Sequence, residues 1–242
     1  MQEGVAIIIP CFNEENRLQL ADFEQYATKY YILFVNDGSS DGTQTLLDEA
    51  ENKRMYQLHL PQNVGKAEAV RMGMLHLRTL PFFEDLKWFG FMDADLATPL
   101  SEVELFFRFN QNFRNNRADV ILGSRVGLLG AKVERSFSRH ILGRLFSTVS
   151  DTLFKIGCYD TQCGAKFFKI NYLEQIASKE FISKWIFDIE ILMRLKQENA
   201  VVIEYPVSTW CDVAGSKLKV HKVVWRVLLD FAAIKRAYRD GS

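Results

Sequence analysis

Residues 89–98 read FGFMDADLAT, an apolar run that ends in two carboxylates, Asp93 and Asp95, with one small residue between them. A buried strand seldom ends in two acids one step apart unless a cation meets them, because unpaired charge is costly to bury. In an extended segment, side chains two positions apart project the same way. The pair can therefore face one metal ion or one metal-bound phosphate. The same string also reads as a strand end and a helix start, with Thr98 or Asp95 as cap and Pro99 in the first turn. The surrounding chain decides between the two.

Working outward, residues 5–9, 30–35, 55–60, 88–92 and 119–122 are short apolar runs with the look of buried strands. Helices are predicted between them over 17–28, 43–52 and 67–77, with another starting at Pro99. Strands alternating with helices at this spacing imply an α/β fold with a mostly parallel sheet covered on both faces. Ligands of such sheets sit beyond the carboxyl ends of the strands. The segments after the first, second, fourth and fifth runs are CFNEE (11–15), NDGSSDG (36–42), the acid pair, and GSR (123–125). All four are predicted to converge on one crevice. Each also has a structural explanation: Asn13 can cap a helix, Asp37 and Asp41 can stabilise a turn, and Gly65 can supply a bend. The carboxylate of Asp37 can accept hydrogen bonds from a nucleobase or ribose, and Lys66 can offset phosphate charge.

The 242 residues, 48% of them hydrophobic, can bury a full core, which excludes a disordered or fibrous chain. Net charge is zero, but residues 1–123 hold 18 acids against 11 Lys/Arg and residues 124–242 hold 12 against 19. An anionic partner is therefore expected at the second half. Nucleic acid is not expected, since no helix-turn-helix, zinc-finger or ribonucleoprotein pattern accompanies the charge. Cys11, Cys158, Cys163 and Cys211 lack CxxC spacing, and no leader pattern precedes the first strand, so a reduced, cytoplasmic chain is expected. No apolar run approaches the roughly 18 residues of a membrane span.

The second half changes character. Residues 135–156 carry apolar side chains at helical spacing together with Arg135, Arg139 and Arg144. A turn at 160–164 precedes an apolar strand at 165–170, and a helix over 187–197 carries Asp188 and Glu190 near its start. Residues 201–210 read as an edge strand or connector interrupted by Pro206. An amphipathic helix is predicted over 220–238. There is no internal repeat or clear linker, so one domain over 1–218 is expected, with 219–242 as a helical elaboration of it or a membrane-interface element. From Arg125 to Lys155 there are six Lys/Arg against two acids, and from Gly215 to Arg239 seven against one. Such helices can lie peripherally on an anionic bilayer surface, or pack on the sheet or in a homodimer interface.

In this order, IIIPCFNEE, FVNDGSSDGT, NVGKAEAVRMGM, MDADLATP and GSR resemble an inverting glycosyltransferase of family 2 with the GT-A fold. DTQCGAKFF, KWIFDIEIL and the stretch from Trp210 to Leu218 are similar to the dolichyl-phosphate β-glucosyltransferase branch, a near relative of the mannose synthases. The resemblance implies that Pro10, Asn13, Glu14 and Asp37 hold the nucleoside. It implies that Asp93 and Asp95 face the metal and diphosphate, with Mg²⁺ or Mn²⁺ as the ion. It places Arg125, Arg135 and Ser138 at the phosphate of the lipid acceptor, and Ser216 and Lys217 over the donor diphosphate. Ala97 stands where mannose synthases have a polar residue.

The chemistry expected is transfer of a hexose, glucose from UDP-glucose, onto a polyprenyl phosphate, dolichyl or undecaprenyl. An acceptor phosphate oxygen would displace the nucleoside diphosphate from the anomeric carbon in one inverting step. Ionised phosphate needs no strong base, and Asp188 and Glu190 remain as candidates to orient the sugar or act as base; a charged first helical turn is their structural alternative. Two other readings stay open: transfer to a saccharide hydroxyl in surface-polysaccharide assembly, and a catalytically silent nucleotide-sugar binding protein. A nucleotidyltransferase lacks support, for want of a glycine-rich basic triphosphate loop.

Overall fold

The computed structural model describes residues 4–50, 52–115, 117–134, 137–211 and 220–238. Its strands are β1 (Val5–Cys11), β2 (Tyr31–Asn36), β3 (Met55–His59), β4 (Trp88–Phe91), β5 (Val120–Ser124), β6 (Lys132–Glu134), β7 (Lys166–Lys169), β8 (Val202–Pro206) and β9 (Thr209–Cys211). Seven of them form one sheet in the order β3-β2-β1-β4-β7-β5-β8, while β6 and β9 pair separately. Every neighbour in the large sheet is parallel except β7, which runs antiparallel between β4 and β5. The expected mostly parallel α/β sheet is present, and β8 occupies an edge, as residues 201–210 suggested.

Both faces are covered because side chains alternate along each strand. Val5, Ile7 and Ile9 of β1 join one apolar cluster with Phe23 of α1 (Leu20–Ala27), Leu47 of α2 (Thr43–Asp48), and Val103, Phe106 and Phe107 of α4 (Ser101–Arg114). Ala6 and Ile8 point to the other cluster, with Val70, Met74 and Leu77 of α3 (Lys66–Leu77), Leu173 and Ile176 of α6 (Leu173–Ala177), and Phe187 and Ile191 of α7 (Phe187–Gln197). A third cluster joins Phe154 of α5 (Phe137–Phe154), Ile186 and Ile189 to Phe231 and Ile234 of α8 (Val220–Ala237). The inner face of α8 is thus buried against α5 and α7.

Local periodicity did not signal that β7 is antiparallel. Its place depends on Gly90: a Cβ there would fall 2.5 Å from Phe167 Cδ1 and 2.3 Å from Lys166 O. Gly90 faces Phe167 in the register, so the missing side chain makes room for the aromatic ring. Helix bounds also moved. Residues 15–17 form a turn, with the N–H groups of Arg17 and Leu18 both donating to Glu14 O at 2.8 Å, and α1 starts only at Leu20. Near the C-terminal half, the buried Glu102 carboxylate accepts the N–H groups of Ser208 (3.0 Å) and Thr209 (3.1 Å) and the Ser208 hydroxyl. That fixes the β8–β9 connection over the first turn of α4, where a carboxylate also suits the helix dipole.

Candidate active site

The parallel strands β1, β2 and β4 end at one edge, and the strand order reverses between β1 and β4, which opens a crevice there. Because β7 runs the other way, the residues that precede it, Gln162 to Gly164, arrive at this same edge. The cleft has a volume of about 600 Å³ and is lined by Pro10 near the end of β1, Phe12 and Glu14 after it, Asp37 after β2, Gly65 and Lys66 at the start of α3, Asp93 and Asp95 after β4, Lys184 and Trp185 before α7, and Asp188 in its first turn. The segment after β5, predicted to converge here, does not line it.

Asn13 neither caps α1 nor lines the cleft. It has φ +55°, and its side-chain oxygen accepts the Ser40 N–H at 2.9 Å while its own N–H donates to Ser39 Oγ at 3.0 Å. It ties the β1 loop to the β2 loop. Asp37 organises the loop before α3: one oxygen accepts the Val64 N–H (2.7 Å), the other the Gly65 N–H (2.9 Å) and the Asn63 side-chain amide (2.9 Å). Burial pushes its carboxyl up, and the Val64 and Gly65 donors and the Lys184 charge pull back in part. Glu14 is buried; Arg17 bonds one of its oxygens at 2.5 Å, and Oε2 has no partner among the described residues. Burial raises this carboxyl too, and the charges of Asp95 and Asp41 add to the rise.

Asp93 and Asp95 share the cleft, though not through strand periodicity. The chain turns after Asp93: the Leu96 N–H donates to Asp93 O at 3.2 Å, Leu96 has φ +48°, and the Ala97 N–H donates to Asp95 Oδ1 at 3.1 Å. Lys66, the first residue of α3, makes a short ion pair with Asp93 Oδ1. Burial works against the Lys66 charge, but Asp93, Asp188 and Asp95 outweigh it and hold its pKa up. The Asp95 carboxyl is pushed up by burial and then by the charge of Asp93. Five carboxylates and two lysines line the cleft. That excess of negative charge, focused on two adjacent acids, fits a hard divalent cation. Among the described residues no group of three or more His, Cys, Asp or Glu side chains is assembled for a metal. The remaining ligands would come from a bound diphosphate or water.

On α7 the two predicted acids separate. Asp188 lines the cleft, and its Oδ1 pairs at 2.8 Å with Lys166, which is 1% exposed and also donates to Cys163 O. Glu190 does not line the cleft. It is buried on Arg194 (2.6 Å), accepts the Ile182 N–H at 2.8 Å and the Tyr238 hydroxyl at 3.2 Å, and acts as a structural anchor. Arg125 is likewise engaged: Nε and Nη2 donate to Asp160 at 2.7 and 2.8 Å, and the guanidinium lies 5.6 Å from the Trp210 ring centre. Burial opposes the Asp160 charge, but Arg125 more than offsets it and holds the carboxyl at about 2. This bidentate pair uses two of the five guanidinium N–H groups, and Arg125 is not among the residues that line the cleft. Arg135, Ser216 and Lys217 lie outside the described residues, as does the Ser138 side chain.

With this geometry in view, the sequence pattern of glycosyl transferase family 2 matches residues 6–176. The chain belongs to that family. It is similar to the dolichyl-phosphate beta-glucosyltransferase of Saccharomyces cerevisiae, with 30% identity over 98% of this chain and 75% of the relative. The human enzyme of the same name is 28% identical over 98% of this chain and 76% of its own length. Among solved structures, glucosyl-3-phosphoglycerate synthase from Mycobacterium tuberculosis, in complex with Mn²⁺, UDP and phosphoglyceric acid, superposes with a TM-score of 0.69. At 13% identity, covering 96% of this chain and 78% of that one, it speaks for the fold alone. The fold is the one expected for the family.

Four site residues escaped the sequence reading: Gly164, Lys166, Lys184 and Trp185. The motifs DTQCGAKFF and KWIFDIEIL contain them, but only the antiparallel entry of β7 brings the first two to the acids. A Cβ on Gly164 would fall 2.2 Å from Asp93 Oδ2. Gly164→Ala is therefore expected to displace the Asp93 carboxylate, costing about 1–3 kcal/mol of stability and roughly 100-fold in turnover, the scale of losing a preorganised electrostatic group. Thermal melts and steady-state rates on the purified variant check both, and a wild-type rate would contradict the assigned contact.

Proposed function

We propose that this chain transfers glucose from UDP-glucose to dolichyl phosphate or another polyprenyl phosphate, with inversion at the anomeric carbon. The observation that carries this reading is the joint one: an acid pair in a cleft at the switch point of a family 2 fold, in a chain whose relatives are named for this activity. Pro10, Glu14 and Asp37 form the nucleoside end. The unpartnered Glu14 Oε2 suits a ribose hydroxyl, since a buried acceptor without a donor is costly. Asp93 and Asp95 would hold Mg²⁺ or Mn²⁺, which supplies Lewis-acid stabilisation to the departing diphosphate. Lys66, already drawn to these acids, offsets diphosphate charge from the start of α3.

The acceptor phosphate oxygen forms the new bond to C1 as the bond from C1 to the donor diphosphate breaks, so UDP leaves and no proton need be removed. Lys166 pairs with one oxygen of Asp188 and leaves the other to orient a sugar hydroxyl. Arg125 and Asp160 brace the wall behind the cleft; an acceptor-phosphate role for Arg135 and Ser138, and donor closure by Ser216 and Lys217, remain part of the proposal.

The lipid acceptor also requires a membrane seat. Among the described residues no helix is long and apolar enough to cross a membrane. The outer face of α8 exposes Leu228 (47%) and Leu229 (68%) together with Arg226, Lys235 and Arg236, a pattern fit for an anionic lipid surface.

Labelled UDP-glucose with polyprenyl phosphate, run beside a panel of other nucleotide sugars and saccharide acceptors, is expected to yield organic-soluble product. Asp95→Asn should lower the rate by about 100-fold or more, and Asp188→Asn by about tenfold at most. Transfer only to a saccharide hydroxyl, with Asp188→Asn as inactive as Asp95→Asn, would overturn the phosphate-acceptor reading. Co-sedimentation with vesicles rich in anionic lipid at low salt is expected to capture the protein, with roughly tenfold weaker capture of a Leu228→Ser/Leu229→Ser variant. No capture, with a dimer in solution, would assign that face to self-association instead.

A further inference from the structure

Lys184 and Trp185 line the cleft, yet no step above uses them. Trp185 is 44% exposed, a large indole at the wall three residues before Asp188. Lys184 is exposed, and its charge acts on Asp37, at the nucleoside end. Its side chain also lies over Gly65: a Cβ there would come within 3.7 Å of Lys184 Cδ. A cation and an exposed aromatic side chain in the cleft that holds the acid pair match a nucleoside diphosphate-sugar in chemistry.

The segment that carries them is short and irregular, so something else must fix its position. Ser183, buried at 1% exposure, does so. Its Oγ accepts the N–H groups of Trp185 (3.1 Å) and Ile186 (3.0 Å) and donates to Asp230 Oδ2 of α8 at 2.5 Å. One residue upstream, the Ile182 N–H is held by Glu190, whose other oxygen receives the Tyr238 hydroxyl and Arg194. Arg194 Nε in turn donates to the Tyr238 hydroxyl at 3.0 Å. Asp230 of α8 directly, and Tyr238 just beyond it through Glu190, therefore hold the adjacent residues Ser183 and Ile182 at the start of the wall segment. Helix α8 lies beyond the residues matched by the family pattern.

We infer that Lys184 and Trp185 are donor-contacting residues, and that Asp230 and Ser183 are positioning residues that set them from the C-terminal helix. This rests on the cleft being the nucleotide-sugar site. Seating of α8 against α5 and α7 is by this linkage a determinant of donor affinity. The side chains that do it sit far along the chain from the acid pair.

The test is calorimetric titration of UDP with MnCl₂ present, with donor and acceptor KM and thermal melts, on the full chain. Asp230→Ala removes the acceptor while leaving Ser183 able to cap Trp185 and Ile186. It should weaken UDP binding and raise donor KM by about fivefold to tenfold, the scale of one ordinary net hydrogen bond. Acceptor KM should hold. Asp230→Asn keeps an oxygen that can accept the Ser183 hydroxyl and should restore most of the affinity. Lys184→Ala should lose at least as much as Asp230→Ala. Ile234→Val, a core change one turn along the same helix, controls for stability: it should lower the melting temperature without moving UDP affinity. Wild-type UDP affinity in Asp230→Ala, or an equal loss in Ile234→Val, would overturn the inference while leaving the donor site intact. Absence of UDP binding by the wild-type chain would overturn both.

Discussion

Asp93 is placed by two features where β4 ends: the Lys66 ammonium pairs with one carboxylate oxygen, and the other takes the space that a side chain at Gly164 would need. These features bring α3, which follows β3, and the turn that leads into β7 to one side chain, although they lie far apart in the sequence. Neither contact tolerates much change. A lysine at a helix start opposes the dipole and needs a nearby anion, and any side chain at 164 would occupy the space of the carboxylate. Burial and the charge of Asp93 both push the Asp95 carboxyl up. The cleft is accordingly predisposed toward a divalent cation and the phosphates that accompany one.

Part of this was legible in the sequence because it is local. The alternation of apolar runs with helical periods gave β1 to β5 and the helices between them to within a few residues, and the acid pair marked its own strand end. The turns rich in Asn, Asp, Gly and Ser correctly implied loops at one sheet edge. What escaped depends on partners distant in the chain. Whether Asn13 faces a ligand or Ser40, whether Glu190 faces the cleft or Arg194, and whether Arg125 is free or paired with Asp160 is decided across separations of 4 to 35 residues. Only the first turn of α7 separates Asp188 from Glu190, yet two positions of helical rotation send them to different surroundings. Even the shared direction of Asp93 and Asp95 has a different cause from the expected strand period, namely the turn at Leu96.

The same logic explains the role of β7. An antiparallel strand inserted between parallel neighbours reverses which of its ends reaches the active edge. Gly90 permits that insertion by yielding its side-chain space to Phe167. Its consequence is chemical: Gly164, Cys163 and Lys166 arrive beside the acids, and Lys166 then fixes Asp188 from beneath. The backbone at position 97 donates to Asp95 and accepts from Cys211 while the Ala97 methyl packs against the apolar cluster, so alanine there is compatible with the geometry. The C-terminal helix, basic and half apolar on its outer side, is drawn into the site through α7 rather than standing apart from it.

Binding of Mn²⁺, followed by loss of the free-ion paramagnetic resonance signal with and without UDP, addresses the acid pair most directly. Wild-type protein is predicted to take up one ion in a UDP-dependent manner, with Asp95→Asn and Asp93→Asn each weakening uptake by about 100-fold, as loss of a hard anionic ligand would. Uptake by Asp95→Asn equal to the wild type, or uptake indifferent to UDP, would contradict the assignment of Asp93 and Asp95 as the metal-diphosphate site.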